Sequence, residues 1–274
     1  MKAAVCNEMF GKRDIEWVFQ FAAETGFHGV EIAPFTLAES VTEISPERRK
    51  EIRSVAKKAG VEIVGLHWLL VSPKGLYMNT TDDEVRNKTF EYFCQLIEFC
   101  GDLGGTVMVV GSPQQRNVPD GMPRDRIWKI TRQFFTDCLP LARKRGVTIC
   151  IEPLAREETN FINTAAEGIK LVDEIGSRCF KLHLDVKAMH DEARPIEAII
   201  ESSRGYLAHF HANDANKKGP GFGDTDFVPI LRALKQTGYG GYVSIEAFDY
   251  DPDPLVMARE GLAYLKKCHA AATV

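Results

Sequence analysis

HFHANDANKKGPGFGDTDF, residues 209–227, reads as the end of a β-strand that opens into a polar, glycine-rich loop and then into a helix. Side chains alternate along a strand, so Tyr206, Ala208 and Phe210 point one way and Leu207, His209 and His211 the other. Two histidines therefore leave one face of a strand at its C-terminal end. The loop carries Asn213, Asp214, Asn216, Lys217, Lys218, Gly219, Gly221, Gly223 and Asp224, and an apolar helical pattern starts near Phe227. A strand that ends in imidazoles and opens into a long polar loop is where a parallel α/β fold keeps its chemistry. The remainder of the chain is read for partners of His211.

Working outward, short apolar runs alternate with longer helical patterns. Strands are expected at 3–5, 29–33, 61–66, 106–110, 147–151, 180–184, 207–210 and 242–245. Helices are expected at 14–25, 46–59, 82–99, 124–145, 164–175, 195–202, 227–237 and 254–267. Ser45 and Pro46 cap the start of the second helix, and Gly26, Gly60 and Gly101 read as helix stops. Strands separated by helices are parallel, and eight such units close into a (β/α)8 TIM barrel, an α/β fold of about 250 residues. The strands are apolar throughout, as strands buried on both faces are. With no linker or composition break, residues 1–274 are expected to form a single domain. An open doubly wound sheet is the alternative, but it usually carries a Gly-rich first turn, and the first strand here runs into Asn7-Glu8-Met9-Phe10.

The 274 residues carry a formal net charge of -4 with both signs interspersed, which argues against a nucleic-acid-binding face. The seven cysteines form no CxxC pair and read as reduced core thiols of a cytoplasmic protein. No apolar run reaches the ~18 residues needed to span a bilayer, so no membrane association is expected.

Strand five ends in Glu152, strand six in Asp185, strand seven in His211 and strand eight in Glu246. Barrels place their active sites at these ends. Three carboxylates and an imidazole are hard and borderline donors suited to a divalent metal, Mn2+, Mg2+ or Co2+. Clustered carboxylates repel and raise one another's pKa unless a cation intervenes. A divalent ion with open positions polarises a carbonyl and a neighbouring hydroxyl of a sugar, and a carboxylate can then take the acidified proton.

The motifs IEPLAREETNFINT, LHLDV, HFHAND and SIEAF, in this order on successive strands, resemble those of the sugar isomerase/epimerase superfamily with a xylose isomerase-like barrel. The resemblance covers nearly the whole chain and is nearest the D-tagatose 3-epimerase and L-ribulose 3-epimerase branch, with hydroxypyruvate isomerase a cousin. It implies that Glu152, Asp185, His211 and Glu246 hold Mn2+ or a similar ion. It also implies that Glu152 and Glu246 are the catalytic acid/base pair on opposite faces of a ketose, acting through a cis-enediolate. Glu158 would contact the substrate's terminal hydroxyls. Two positions depart from the family. The His three residues after the strand-six Asp is Ala188 here, with His190 two further on, and the Arg six residues after the strand-seven His is Lys217. Lys keeps the charge but loses the planar fork that orients adjacent hydroxyls. Barrels of this family often pair, which makes a homo-oligomer a natural expectation.

Other residues carry two readings. His67 and Trp68 end strand three and read either as an apolar wall for a sugar face or as core. Glu31 ends strand two and reads first as the partner of a local Lys or of a helix end. His183 and His209 lie one layer deeper than Asp185 and His211 and are expected to hydrogen-bond ligands rather than to be ligands. Lys187 is expected to approach the substrate. GPGFGD, residues 219–224, lacks a Walker pattern and reads as a turn shaping the site rim. Cys150 reads as core, and loop 112–123 as either an ordered rim or a mobile flap. The functional expectation is a metal-dependent isomerase or epimerase of a ketose or keto-polyol. The alternatives are a lyase or dehydratase performing β-elimination on a keto-sugar or 3-keto-glycoside, a phosphodiesterase of the apurinic-site type, disfavoured by the charge, and a sugar-binding barrel without catalysis.

Overall fold

A computed structural model describes residues 1–272. Eight strands, β1 (Lys2–Cys6), β2 (Gly29–Ile32), β3 (Glu62–Leu66), β4 (Val107–Val110), β5 (Thr148–Ile151), β6 (Phe180–Asp185), β7 (Leu207–Ala212) and β8 (Tyr242–Ile245), close in chain order into one barrel. Every neighbouring pair is parallel, including β8 with β1. The crossovers are α1 (Ile15–Thr25), α2 (Pro46–Ala59), α3 (Asp83–Leu103), α4 (Arg124–Arg145), α5 (Ala165–Ile175), the short α6 (Val186–Met189), α7 (Ile196–Ser202) and α8 (Phe227–Gln236); α9 (Pro254–Ala271) follows β8. No helix among the described residues is long and apolar enough to cross a membrane.

The helix ends are set by local chemistry. The Ser45 hydroxyl accepts the Arg48 amide and Pro46 opens α2, while Gly60 closes it at φ 81°. Asp82 and Asp253 cap α3 and α9 in the same way, each accepting two first-turn amides. The expected stop at Gly101 is not one. Helix α3 runs on to Leu103 and ends at Gly104, at φ 83°. A Cβ on Gly101 would lie 2.6 Å from Nε of Arg145, so this glycine makes room for α4 to pack rather than ending a helix.

The apolar core lies largely between sheet and helices. Phe93 and Phe99 of α3, Phe135 of α4 and Phe180 of β6 are fully buried, with the rings of Phe135 and Phe180 4.9 Å apart. Five of the seven free cysteines, Cys150 among them, are buried. The other face of β6 and β7 is polar. Their register pairs His183 with His209 and Asp185 with His211, after a shift at Leu182/His183. Strand β7 extends two residues beyond the expected end, so His211 lies inside the ladder, where its ring direction is fixed by the sheet.

The barrel closes tightly at Gly65 of β3, where a Cβ would sit 1.9 Å from the Val107 carbonyl oxygen of β4. Backbone, not a flexible side chain, would have to move. Gly65→Ala is expected to cost about 3 kcal/mol, the upper end of overpacking penalties. Urea unfolding measures it, and a loss below about 1 kcal/mol would mean that β3 and β4 separate easily.

Candidate active site

His211 is the centre of the polar end. Its Nδ1 lies 3.0 Å from Oε2 of Glu246, and its Nε2 lies 3.2 Å from both carboxylate oxygens of Glu31. With carboxylates at both nitrogens, burial, which would lower its pKa, is outweighed by Glu31 and Glu246, and the imidazole is held well above its ordinary range. Glu31 is itself fully buried, and burial would raise it; His209, whose Nε2 is 2.6 Å away, and His211 instead hold it well below the usual carboxylate range. Glu31 is thus neither a partner of a local Lys nor a helix-end residue. It is the anion under the site.

Glu152, Asp185 and Glu246 stand around His211, each buried to 6% exposure or less. Donor atoms of Glu152, His183, Asp185 and His211 all lie within 4.8 Å of one another, and Glu246 joins through Nδ1 of His211. Burial and the charges of Asp185 and Glu246 push Glu152 well above the carboxylate range. Burial likewise raises Asp185 to about 6, against the pull of Lys187. Burial alone would also raise Glu246, but His211 draws it below its ordinary value. The Asp185 carboxylate is fixed by the Ala188 amide at 2.8 Å and the Asn213 side-chain amide at 2.5 Å. Glu152 depends on Gly111: a Cβ there would meet its Oε2 at 1.9 Å.

This donor set fits a divalent cation. Two mutually repelling carboxylates, Glu152 and Asp185, converge with the imidazoles of His183 and His211, and Glu246 stands at the Nδ1 side of His211, all of them buried. Both ring nitrogens of His183, fully buried and 3.7 Å from Glu152 Oε1 at the nearer one, lack a hydrogen-bond partner. Among the described residues Cys6, Glu8, His67 and Glu246 form a second convergent group beside the first.

The other expected residues divide. His67 is buried, its Nε2 2.7 Å from Glu8 Oε2, and it edges a small inner cavity together with Trp68, Glu152, Glu158, Lys187 and Glu246. Lys187 is 8% exposed; its ammonium lies 2.7 Å from Glu158 Oε1 and 4.6 Å over the Phe248 ring. Burial would lower its pKa, but Asp185 and Glu158 outweigh it and keep the charge. Lys217 does not line this cavity. It is held at φ 68° by the turn, and its ammonium is half exposed and 3.4 Å from Glu157. His190 is exposed and bonds Thr225. His209 bonds Glu31 rather than one of the four convergent groups, and His183 bonds nothing. Asp214 accepts the Ala215 and Thr225 amides, and its carboxylate occupies the space a Cβ on Gly223 would need; none of residues 219–224 lines the inner cavity.

Residues that sequence reasoning passed over are Glu8, Arg116, Asn213 and Phe248. Arg116 is fully buried in loop 112–123, donating to the Val110 carbonyl at 3.1 Å and the Ile162 carbonyl at 3.4 Å, with Nε unpartnered. Burial lowers it to about 10 against the pull of Glu152 and Glu158. The loop around it is tied down, Gln115 accepting the Met78 amide and Val118 bonding Asn160 in both directions.

Residues 19–268 match the family of the xylose isomerase-like TIM barrel. The chain belongs to that family. The 3-dehydro-D-guloside 4-epimerase of Escherichia coli K12 is 25% identical over 277 residues, which is 98% of this chain and 100% of that one. The D-psicose 3-epimerase of Ruminiclostridium cellulolyticum is 26% identical over 239 residues, 86% and 78% of the two chains. The crystal structure of D-psicose 3-epimerase with D-tagatose from Clostridium cellulolyticum H10 superposes with a TM-score of 0.87 at 22% identity, covering 98% and 99%, and shares the fold. Ketose 3-epimerases are the branch that the motifs resemble, and this xylose isomerase-like barrel is an enzyme of the isomerase class.

Glu31 gives a direct test of the charge balance. Glu31→Ala leaves His209 and His211 buried without their shared anion, and is expected to cost about 3–5 kcal/mol of stability. Denaturant unfolding checks it; a loss under about 1 kcal/mol would show that the histidines simply become neutral and repack.

Proposed function

We propose that this protein epimerises a keto-sugar at a carbon beside its carbonyl, with Glu152 and Glu246 as the acid/base pair. The observation that carries the reading is that these two glutamates, at the ends of β5 and β8, line one small, largely buried inner cavity together with His211. The relatives support it: one is named for C3 of a ketose, the other for C4 of a 3-dehydro-guloside, and in both the inverted carbon adjoins a ketone.

Glu152, Asp185, His211 and Glu246 would hold the divalent ion, Mn2+ first with Mg2+ or Co2+ as alternatives, since a carboxylate-rich set suits a hard cation. When bound, such an ion polarises the carbonyl and the adjacent hydroxyl and acidifies the C–H between them. One glutamate then takes that proton, leaving the cis-enediolate, and the other delivers a proton to the opposite face. One C–H bond breaks, one forms, and the sugar's oxidation state is unchanged. Lys187, kept charged beside Glu158, donates to substrate oxygens while Glu158 accepts from hydroxyls. His67 and Trp68 wall the reacting end, and burial keeps water from the exchanging proton.

Incubation of the Mn2+-loaded protein with ketoses and 3-keto sugars in D2O tests the reaction. Deuterium should appear at a carbon next to the carbonyl, together with an epimer. Loss of a substituent instead would make the enzyme a lyase. Glu152→Gln and Glu246→Gln should each lower turnover by about 10²–10⁴-fold while the barrel stays folded; full turnover in either ends the pairwise assignment.

Removal of metal with a chelator should abolish turnover and lower the melting temperature, both recovering with Mn2+. A verified metal-free protein with undiminished turnover and an unchanged melting temperature would overturn the cation.

A further inference from the structure

The inner cavity is small. Its volume of about 20 Å3 compares with the roughly 10–15 Å3 that one water needs on the same kind of measure. A sugar whose reacting carbons lie between Glu152 and Glu246 must therefore project out of it. The way out is marked by two aromatic residues that belong to both this cavity and a much larger one outside: Trp68 and Phe248, edge to face with centroids 6.2 Å apart. The outer cavity has a volume of about 950 Å3, near the top of the roughly 300–1,000 Å3 range of small-molecule sites. It is more than the remainder of one monosaccharide can fill.

The lining states what would fill it. Phe35, Trp68, Phe248 and Tyr250 supply aromatic surface, and Glu8 and Lys12 supply hydrogen-bonding groups at its edge. Phe35 is 42% exposed, one of three large apolar side chains left exposed among the described residues, and it faces this cavity. Trp68 is held at φ 53°, a left-handed conformation that a non-glycine residue adopts only where its surroundings impose it. With the backbone in this conformation, the indole lies on the partition between the two cavities. Flat apolar faces with a few polar groups bind the C–H face of a sugar ring or an aromatic ring while leaving hydroxyls at the edge.

We propose that the substrate is a keto-sugar bearing a second ring, a glycoside whose other ring lies in the outer cavity against Phe35 and Tyr250, with Trp68 and Phe248 gripping the link between the two rings. The inference rests on the keto-sugar reading above and gives its substrate class. The second ring is another sugar or an aryl group, and the two share the ring face that the aromatic walls recognise.

The test compares a methyl keto-glycoside, a p-nitrophenyl keto-glycoside and a keto-disaccharide on the Mn2+-loaded protein, alongside calorimetric binding of ordinary p-nitrophenyl glucoside, which cannot react. Ring-bearing substrates should exceed the methyl compound at least about tenfold in kcat/KM, mainly through KM, and whichever ring is preferred identifies the natural one. Phe35→Ala should collapse that ratio about tenfold and weaken glucoside binding, and Phe35→Trp should restore both. Equal kcat/KM across the series, with glucoside binding undetectable, would overturn the second ring. Glucoside binding that is lost in Phe35→Ala, with no exchange or turnover of any keto-sugar, would keep the outer site and refute the epimerase reading instead.

Discussion

The arrangement depends on a charge balance that the barrel must keep in the absence of water. Glu31, Glu152, Asp185 and Glu246 are four carboxyl groups at the mouth of one closed sheet, all nearly inaccessible. Taking even one charge out of water is costly unless it is paired. His211 does the pairing, with one nitrogen toward Glu31 and the other toward Glu246. That leaves Glu152 and Asp185 as the pair that burial and mutual repulsion push up, against the pull of Arg116 and Lys187. The deficit lies where Glu152, Asp185 and His211 bring their donor atoms together. A bound cation would relieve that deficit, so the distribution of the buried charges, and not only the identity of the residues, favours one there.

The backbone makes that distribution possible. Side chains on β6 and β7 alternate, so two rows, His183 with His209 and Asp185 with His211, face inward at two depths. The lower row is imidazole, able to meet Glu31 without adding negative charge. The upper row carries the acidic group that Asn213 and the Ala188 amide hold in place. On the neighbouring side Gly111 gives Glu152 the space of a missing side chain. A rigid sheet supplies directions, and the loops after each strand supply the small residues and amide groups that refine them.

The barrel and the four strand-end groups were legible because both rest on local, periodic signals: apolar runs of strand length, helical spacing, and a charged residue as each strand stops. What was not legible depends on contacts between distant positions. Glu31 looked like an ordinary strand-end carboxylate because its partners, His209 and His211, come from the opposite side of the barrel. Arg116 sits in a loop with no period, and its burial follows from carbonyls of Val110 and Ile162 that sequence spacing does not bring together. Gly101 obeyed the usual rule for a helix stop in every local respect, and only the arrival of Arg145 from α4 shows its other purpose.

The two departures from the epimerase pattern, Ala188 and Lys217, take on meaning together. Ala188 is buried and spends its amide on Asp185, so nothing polar extends from that position. Lys217, in its left-handed turn, directs its charge to Glu157 at the surface. The cation that does line the inner cavity is Lys187, two residues after Asp185, braced between Glu158 and the face of Phe248. Phe248 is at the same time one half of the partition toward the outer cavity. The group that would orient hydroxyls at the reacting end thus packs on the ring that borders the outer space. A substrate group pressing on Phe248 from outside would therefore bear on the ring that braces the Lys187 ammonium.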